Sequence, residues 1–154
     1  MNTYIDTALF VKVFVLEADS AETIHILEQI GEPFAYSRLH ELEIPNAIRL
    51  KRFRGEITKE QESAAIRAFH TDVDAGRFER ISCNPGDIFL RAEQLSAKYS
   101  GETGSRSLDL WHVAAALETG CSAFASYDIR QRKVATGCGL EMIPASMPAN
   151  STTK

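Results

Sequence analysis

Short apolar, β-branched or aromatic runs alternate along the chain with longer stretches whose apolar residues recur every three or four positions. The runs TYI (3–5), PFAYS (33–37), FERIS (78–82), SAFAS (122–126) and LEMI (140–143) predict strands. The helical period predicts helices over 8–15, 20–30, 37–53, 58–76, 86–98, 107–118 and 129–137. Strand–helix alternation of this kind predicts an α/β fold with a largely parallel sheet and helices on both faces. GETGSRS (101–107) reads as the clearest internal loop, and the segment after Ile143, PASMPANSTTK, is small, polar and proline-containing. We therefore expect one domain over residues 1–145 and a flexible C-terminal tail over 146–154.

A chain of 154 residues, 44% hydrophobic and 25% charged, can bury a real core as an ordinary soluble domain. No apolar run reaches membrane-span length, and Asp6 and Lys12 interrupt any secretion-signal layout, so a cytoplasmic location is the default. Cys83, Cys121 and Cys138 are odd in number and form neither a CxxC pair nor a zinc-ligand spacing with the four histidines. They are expected to be reduced and mostly buried. A net charge of −4 argues against coating nucleic acid through bulk positive charge, though not against a local basic patch or an acidic pocket filled by cations. No GxGxxG follows a strand and no GxxxxGK[ST] is present, which removes the dinucleotide and P-loop readings.

Ligands of open parallel sheets bind where strands end and helices begin. Asp6 follows TYI, Asp128 follows SAFAS, and Asp109 opens the helix SLDLWHVAAAL. Each can be explained as a helix cap or first-turn acid. Asp109 is the hardest to dismiss, because its helix is apolar nearly all round and must pack inside the protein. Glu43 falls at helical spacing from Leu39, Ala47 and Leu50, which predicts an acid on the buried stripe of its helix. Glu41, beside Arg38 and Arg52, reads as a surface charge. Carboxylates meeting in one pocket repel unless a cation neutralises them, and oxygen-only donors suit Mg²⁺ or Mn²⁺. Such ions activate water and stabilise charge on a phosphodiester in flight.

Four stretches in order now resemble a known family. YIDTALFVKVFVLEADS is similar to the opening strand of PIN-domain ribonucleases, with its first acid and small hydroxyl residue (Asp6, Thr7) and downstream Glu17. SRLHELEIPNAI resembles the helix bearing the second acid, here Glu43, followed by Ala47. RSLDLWHVAAALETG resembles the segment with an arginine, a third acid (Asp109) and an alanine-rich helix. FASYDIRQRKVATGCGLEMI is similar to the closing unit, with Ser126 and Asp128 in a hydroxyl-x-Asp pattern. The nearest resemblance is to VapC-type toxins of toxin–antitoxin pairs. It implies a PIN-like three-layer α/β/α sandwich with a four- or five-stranded, mainly parallel sheet. It also implies a Mg²⁺- or Mn²⁺-dependent endoribonuclease, a homodimer, and inhibition by a cognate antitoxin.

On that resemblance Asp6, Glu43, Asp109 and Asp128 form the catalytic metal site, with Thr7 and Ser126 orienting carboxylates or waters around it. Hydrogen bonding to turn backbone is an equally open role for the two hydroxyls. Pro45 departs from a smooth helix and is expected to kink it or to delay its start, re-aiming Glu43. Arg106 reads as a phosphate ligand, a partner of a site acid, or a plain surface arginine. The basic run RLKRFR (49–54), with Arg49, Lys51 and Arg52, could track an RNA backbone or be a solvated helix face. His112 on its apolar helix reads as a packed, hydrogen-bonded side chain, and Trp111 and the phenylalanines as core or dimer contacts. Two other functions stay open: a non-catalytic RNA- or protein-binding module, and an aspartate-nucleophile phosphotransferase, against which Ala8 counts because that family repeats an acid there.

Overall fold

The computed structural model describes residues Asn2–Met147; most of the segment expected to be a tail lies outside the described residues. The elements are β1 (Thr3–Ile5), α1 (Thr7–Phe14), α2 (Ser20–Ile30), β2 (Phe34–Tyr36), α3 (Arg38–Phe53), α4 (Lys59–Asp74) and β3 (Phe78–Arg80). They continue with α5 (Pro85–Leu95), a π-helical stretch (Ser96–Ser100), α6 (Gly101–Thr103), α7 (Ser107–Glu118), β4 (Ala123–Ala125), α8 (Ile129–Gly137) and β5 (Glu141–Ile143). The five strands and seven main helices match the predicted elements to within a few residues at most ends. The exception is GETGSRS: helix extends through Thr103 and resumes at Ser107, so the loop shrinks to Gly104–Arg106. Gly104 ends α6 in the left-handed region at φ 67°, a conformation that glycine adopts without a Cβ penalty.

The chain divides into two compact units, one formed by residues up to Asp6 together with those from Ile81 onward, the other by Thr7–Arg80. In the first, β1 pairs with β4 and β4 with β5, all parallel, with Ile5 opposite Ala125 and Ala125 opposite Ile143. Its core stacks Tyr4 on Phe124, ring centroids 5.7 Å apart, and buries Val113 to Ala116 of α7 completely. In α7 the buried residues run from Asp109 without a break to Ala116, as its all-round apolar pattern requires. Tyr4 Oη and His112 Nδ1 are 3.0 Å apart in this core, which is the packed, hydrogen-bonded histidine expected.

In the second unit β2 pairs parallel with β3, Phe34 opposite Phe78. Phe10, Phe34, Phe69 and Phe78 meet edge to face at centroid distances of 5.1–5.8 Å, an arrangement favoured by the ring quadrupoles. α3 begins at Arg38, where Ser37 and His40 form a capping box, and runs to Phe53 through Pro45. The helix therefore does not wait for Pro45 to start. Its buried stripe is His40, Ile44, Pro45 and Ile48, while Leu50 is 45% exposed and Glu43 is half-buried. The predicted stripe through Leu39, Glu43, Ala47 and Leu50 is thus corrected: Glu43 flanks the core. His40 carries the stripe because its imidazole is committed to Ser37, so a polar residue fills an apolar position.

The cysteines are free, but only Cys121 is buried; Cys83 and Cys138 are half-exposed, which corrects the expectation that most are buried. No described helix is long and apolar enough to cross a membrane.

Candidate functional site

Three of the predicted acids belong to the first unit. Asp6 leaves β1 still in ladder geometry, its N–H donating to the Ala125 carbonyl at 2.9 Å, and its side chain is 6% exposed. Asp109 occupies the first turn of α7, also 6% exposed, and its Oδ2 accepts the Arg106 backbone N–H at 2.9 Å. Asp128 is the N-cap of α8, Oδ1 accepting the backbone N–H groups of Arg130 at 2.8 Å and Gln131 at 3.1 Å. The capping reading is therefore right for the local backbone of Asp109 and Asp128. It does not account for the remaining oxygens.

Those oxygens converge on two side chains. Gln131 Nε2 donates to Asp6 Oδ1 at 3.1 Å and to Asp109 Oδ1 at 3.5 Å. The Arg106 guanidinium donates from Nε to Asp109 Oδ2 at 3.1 Å and from Nη2 to Asp109 Oδ1 at 3.4 Å, and its Nη2 lies 3.9 Å from Asp128 Oδ2. Arg130 Nη2 approaches the same Asp128 oxygen at 3.7 Å. The Arg106 guanidinium is held above its ordinary pKa, chiefly by the hydrogen bond to Asp109, with Asp128 and Asp6 adding to it. Its side chain is 67% exposed, so one face stays open to an anion while the other holds the acids. Of the three roles open to Arg106, pairing with site acids is the one its geometry displays.

Ser126 bonds turn backbone, one of the two roles raised for it, and a neighbouring amide side chain. Its Oγ accepts the Asp128 backbone N–H at 3.0 Å and donates to Gln131 Oε1 at 2.7 Å. Gln131 itself is 3% exposed and is the site residue that sequence reasoning missed. A signal existed: Gln131 stands three residues after the N-cap Asp128, the spacing of a capping box. That spacing predicts a side chain turned back to its own helix end, whereas Gln131 reaches across to Asp6 and Asp109.

Glu43 and Thr7 belong to the second unit, where Thr7 Oγ1 donates to Glu43 Oε2 at 2.6 Å. Thr7 thus holds one oxygen of the Glu43 carboxylate. The basic run is largely committed to ion pairs. Lys51 holds Glu17 and, at 3.3 Å, Glu56; Arg52 Nη1 lies 3.2 Å from Glu62; and Arg54 Nε lies 2.6 Å from Glu56. Arg49 is exposed on α3. Glu41 is a surface charge as expected, but its partners are Arg38 and Arg80, not Arg52.

The PIN domain family matches residues 3–137. The chain is a PIN domain. No curated protein matches it closely enough to count as a relative. The five parallel strands flanked by helices give this PIN domain the α/β/α architecture of its family. PIN domains are generally nucleases and generally use divalent metal ions.

Whether this PIN domain suits such an ion is decided by its donors. Asp6, Asp109 and Asp128 offer hard oxygen atoms only, the right chemistry for Mg²⁺ or Mn²⁺. The guanidiniums of Arg106 and Arg130 lie against two of them, Asp109 and Asp128. Asp6 and Asp109 already share one nitrogen, that of Gln131. Among the described residues no three His, Cys, Asp or Glu side chains are grouped so as to hold a metal ion, and the Gln131 amide and the Arg106 guanidinium take up carboxylate oxygens of Asp6 and Asp109. The donor set therefore fits the ion chemically, and binding requires those two donors to yield.

Proposed function

We propose that this PIN domain is a Mg²⁺- or Mn²⁺-dependent endoribonuclease, acting in the cytoplasm as the toxin of a type II toxin–antitoxin pair. The observation that carries the proposal is the shared donation of one buried amide, Gln131, to Asp6 and Asp109, with Asp128 tied to the same group through Arg106. In this reading Asp6, Asp109 and Asp128 hold the ion, and Glu43, its carboxylate set by Thr7, is the fourth acid the family resemblance implies. A divalent ion, when bound, lowers the pKa of water and stabilises charge on the phosphodiester. Ser126 holds Gln131 in place, and the open face of Arg106 receives a substrate phosphate by bidentate donation. Arg49 adds a backbone contact for RNA. Lys51 and Arg52 would have to leave their glutamates to do the same. The family resemblance also supports a homodimer held inactive by a cognate antitoxin.

Incubating the purified chain with end-labelled RNA and Mn²⁺, alongside Asp6→Asn, tests the reading. Cleavage by the wild type that falls to background in Asp6→Asn and in EDTA is the expected result. Cleavage that survives Asp6→Asn unchanged would sink the metal-site reading. One observation favours a second reading, a non-catalytic RNA-binding module: Gln131 and Arg106 satisfy the acids without any ion. RNA binding with neither cleavage nor stabilisation by Mn²⁺ would decide for it.

A further inference from the structure

We propose that Gln131 is a built-in stand-in for the cation: its carboxamide holds Asp6 and Asp109 together when no ion does, and an entering ion must displace it. The inference rests on the metal-site reading above and adds a residue that sets how tightly the ion binds.

Gln131 is buried, and each half of its amide has one suitable partner type. A carboxylate only accepts, so the amide must present its nitrogen to Asp6 Oδ1 at 3.1 Å and Asp109 Oδ1 at 3.5 Å. Its Oε1 takes the Ser126 hydroxyl at 2.7 Å, and Ser126 is fixed by the Asp128 N–H at 3.0 Å. The backbone of Gln131 is anchored in turn, its N–H donating to Asp128 Oδ1 at 3.1 Å. The amide nitrogen is thereby held toward the two acids. This eases the repulsion between neighbouring carboxylates without adding charge. A cation needs the same oxygens and is repelled by the same N–H dipoles. It gains them only if the amide withdraws, which forfeits the Ser126 bond as well. Whatever stabilises only the ion-free state is subtracted from the ion's apparent affinity.

The test uses the full chain and Mn²⁺ alone, without RNA. Gln131→Met keeps the length of the side chain and removes both donor and acceptor. Isothermal titration should show the Mn²⁺ Kd falling by about ten- to hundredfold, the range corresponding to a hydrogen bond to a charged group. Urea unfolding in EDTA should show the variant less stable than the wild type, and saturating Mn²⁺ should close much of that gap. An unchanged or weaker Kd would overturn the inference, because Gln131 would then be a bystander or a ligand. If Gln131→Met does not fold, Ser126→Ala carries the test, since it keeps the amide but frees it: Mn²⁺ binding tightened by about two- to fivefold supports the inference. Unchanged or weaker binding in Ser126→Ala overturns it. The two levels separate cleanly. A wild type that takes up no Mn²⁺ defeats the metal-site reading itself, whereas a wild type that binds Mn²⁺ as its variants do defeats only the role of Gln131.

Discussion

Replacing Lys12 by Met should destabilise the PIN domain by about 3 kcal/mol at neutral pH, through the loss of two charge-assisted hydrogen bonds partly offset by easier burial. Lys12, on α1, lies 2.6 Å from Glu17 and 2.8 Å from Asp19, and its side chain is only 14% exposed. Asp19 stands at the N-cap of α2 yet makes no capping hydrogen bond there; its carboxylate, 7% exposed, goes to Lys12. Removing the ammonium strands that carboxylate in a poorly solvated place. Glu17 suffers less, because Lys51 also holds it. Against this, burial is the largest single influence on Lys12 and opposes its charge, a cost that Met avoids. The bonds to Asp19 and Glu17 together outweigh it and leave the Lys12 pKa above its ordinary value. With a urea slope of about 2 kcal/mol per molar, the midpoint should fall by roughly 1.5 M. The pH dependence gives the sharper check. Lys12 and Lys51 hold Glu17 below its ordinary carboxylate value of 4.5 even though burial pulls the other way. A depressed acid contributes stability that is fully present above 4.5 and lost as pH falls through its folded value. Raised above 10.5, Lys12 contributes stability present below that pH and lost above it. The gap between wild type and Lys12→Met should therefore hold from neutral pH down to the ordinary carboxylate range, then narrow in acid. Equal midpoints at pH 7, or a gap that does not change between pH 7 and pH 3, would refute the reasoning.

Three further outcomes are expected. Gly137→Ala should lower stability by about 1–3 kcal/mol in thermal or urea unfolding, since its Cβ would come within 2.8–3.0 Å of the Tyr99 ring, which is itself tied to Gly137 by a 2.8 Å bond from Oη to the carbonyl; pairing it with Tyr99→Ala should remove most of the strain. Tyr4→Phe deletes the hydroxyl facing His112 Nδ1 in a fully buried site and should cost about 1–2 kcal/mol with the fold retained, while a cost within 0.3 kcal/mol would deny that the bond matters. The Glu56 carboxyl, pulled to about 2 first by Arg54 and then by Lys51, should titrate there by NMR and move back toward 4.5 in Arg54→Gln. An unmoved titration would rule out Arg54 as the cause.

Element types and order were legible because short apolar or aromatic runs alternate with longer stretches of helical period along this chain, and because α7 carries an apolar face all round. What was not legible turned on polar side chains that satisfy themselves inside the protein. His40, bonded to Ser37, occupies a core position of α3; read as polar, it displaced the apparent stripe by one residue and moved Glu43 onto it. Thr103 and its neighbours continue a helix whose glycine and serine content reads as loop, because α6 follows directly on the π-helical stretch Ser96–Ser100. Gln131 escaped because the only sequence signal at it, capping-box spacing from Asp128, points to its own helix end and not to Asp6 and Asp109.

For Asp109 and Asp128 a cap bond occupies only part of the carboxylate, so the oxygens are best counted separately. A carboxylate has two, and a helix N-terminus needs only one. Asp128 gives Oδ1 to α8 and turns Oδ2 toward Arg106 and Arg130; Asp109 takes the Arg106 amide on Oδ2 and meets Gln131 through Oδ1. Capping fixes each carboxyl plane, and a fixed plane aims the second oxygen. Aspartate is suited to this, being short enough that a cap bond removes most of its rotamer freedom, where a glutamate would need another restraint. Glu43, the one longer acid of the four, has such a restraint in the 2.6 Å bond from Thr7. At Asp109 and Asp128, backbone chemistry at a helix start therefore fixes one carboxylate oxygen and thereby sets the direction of the other.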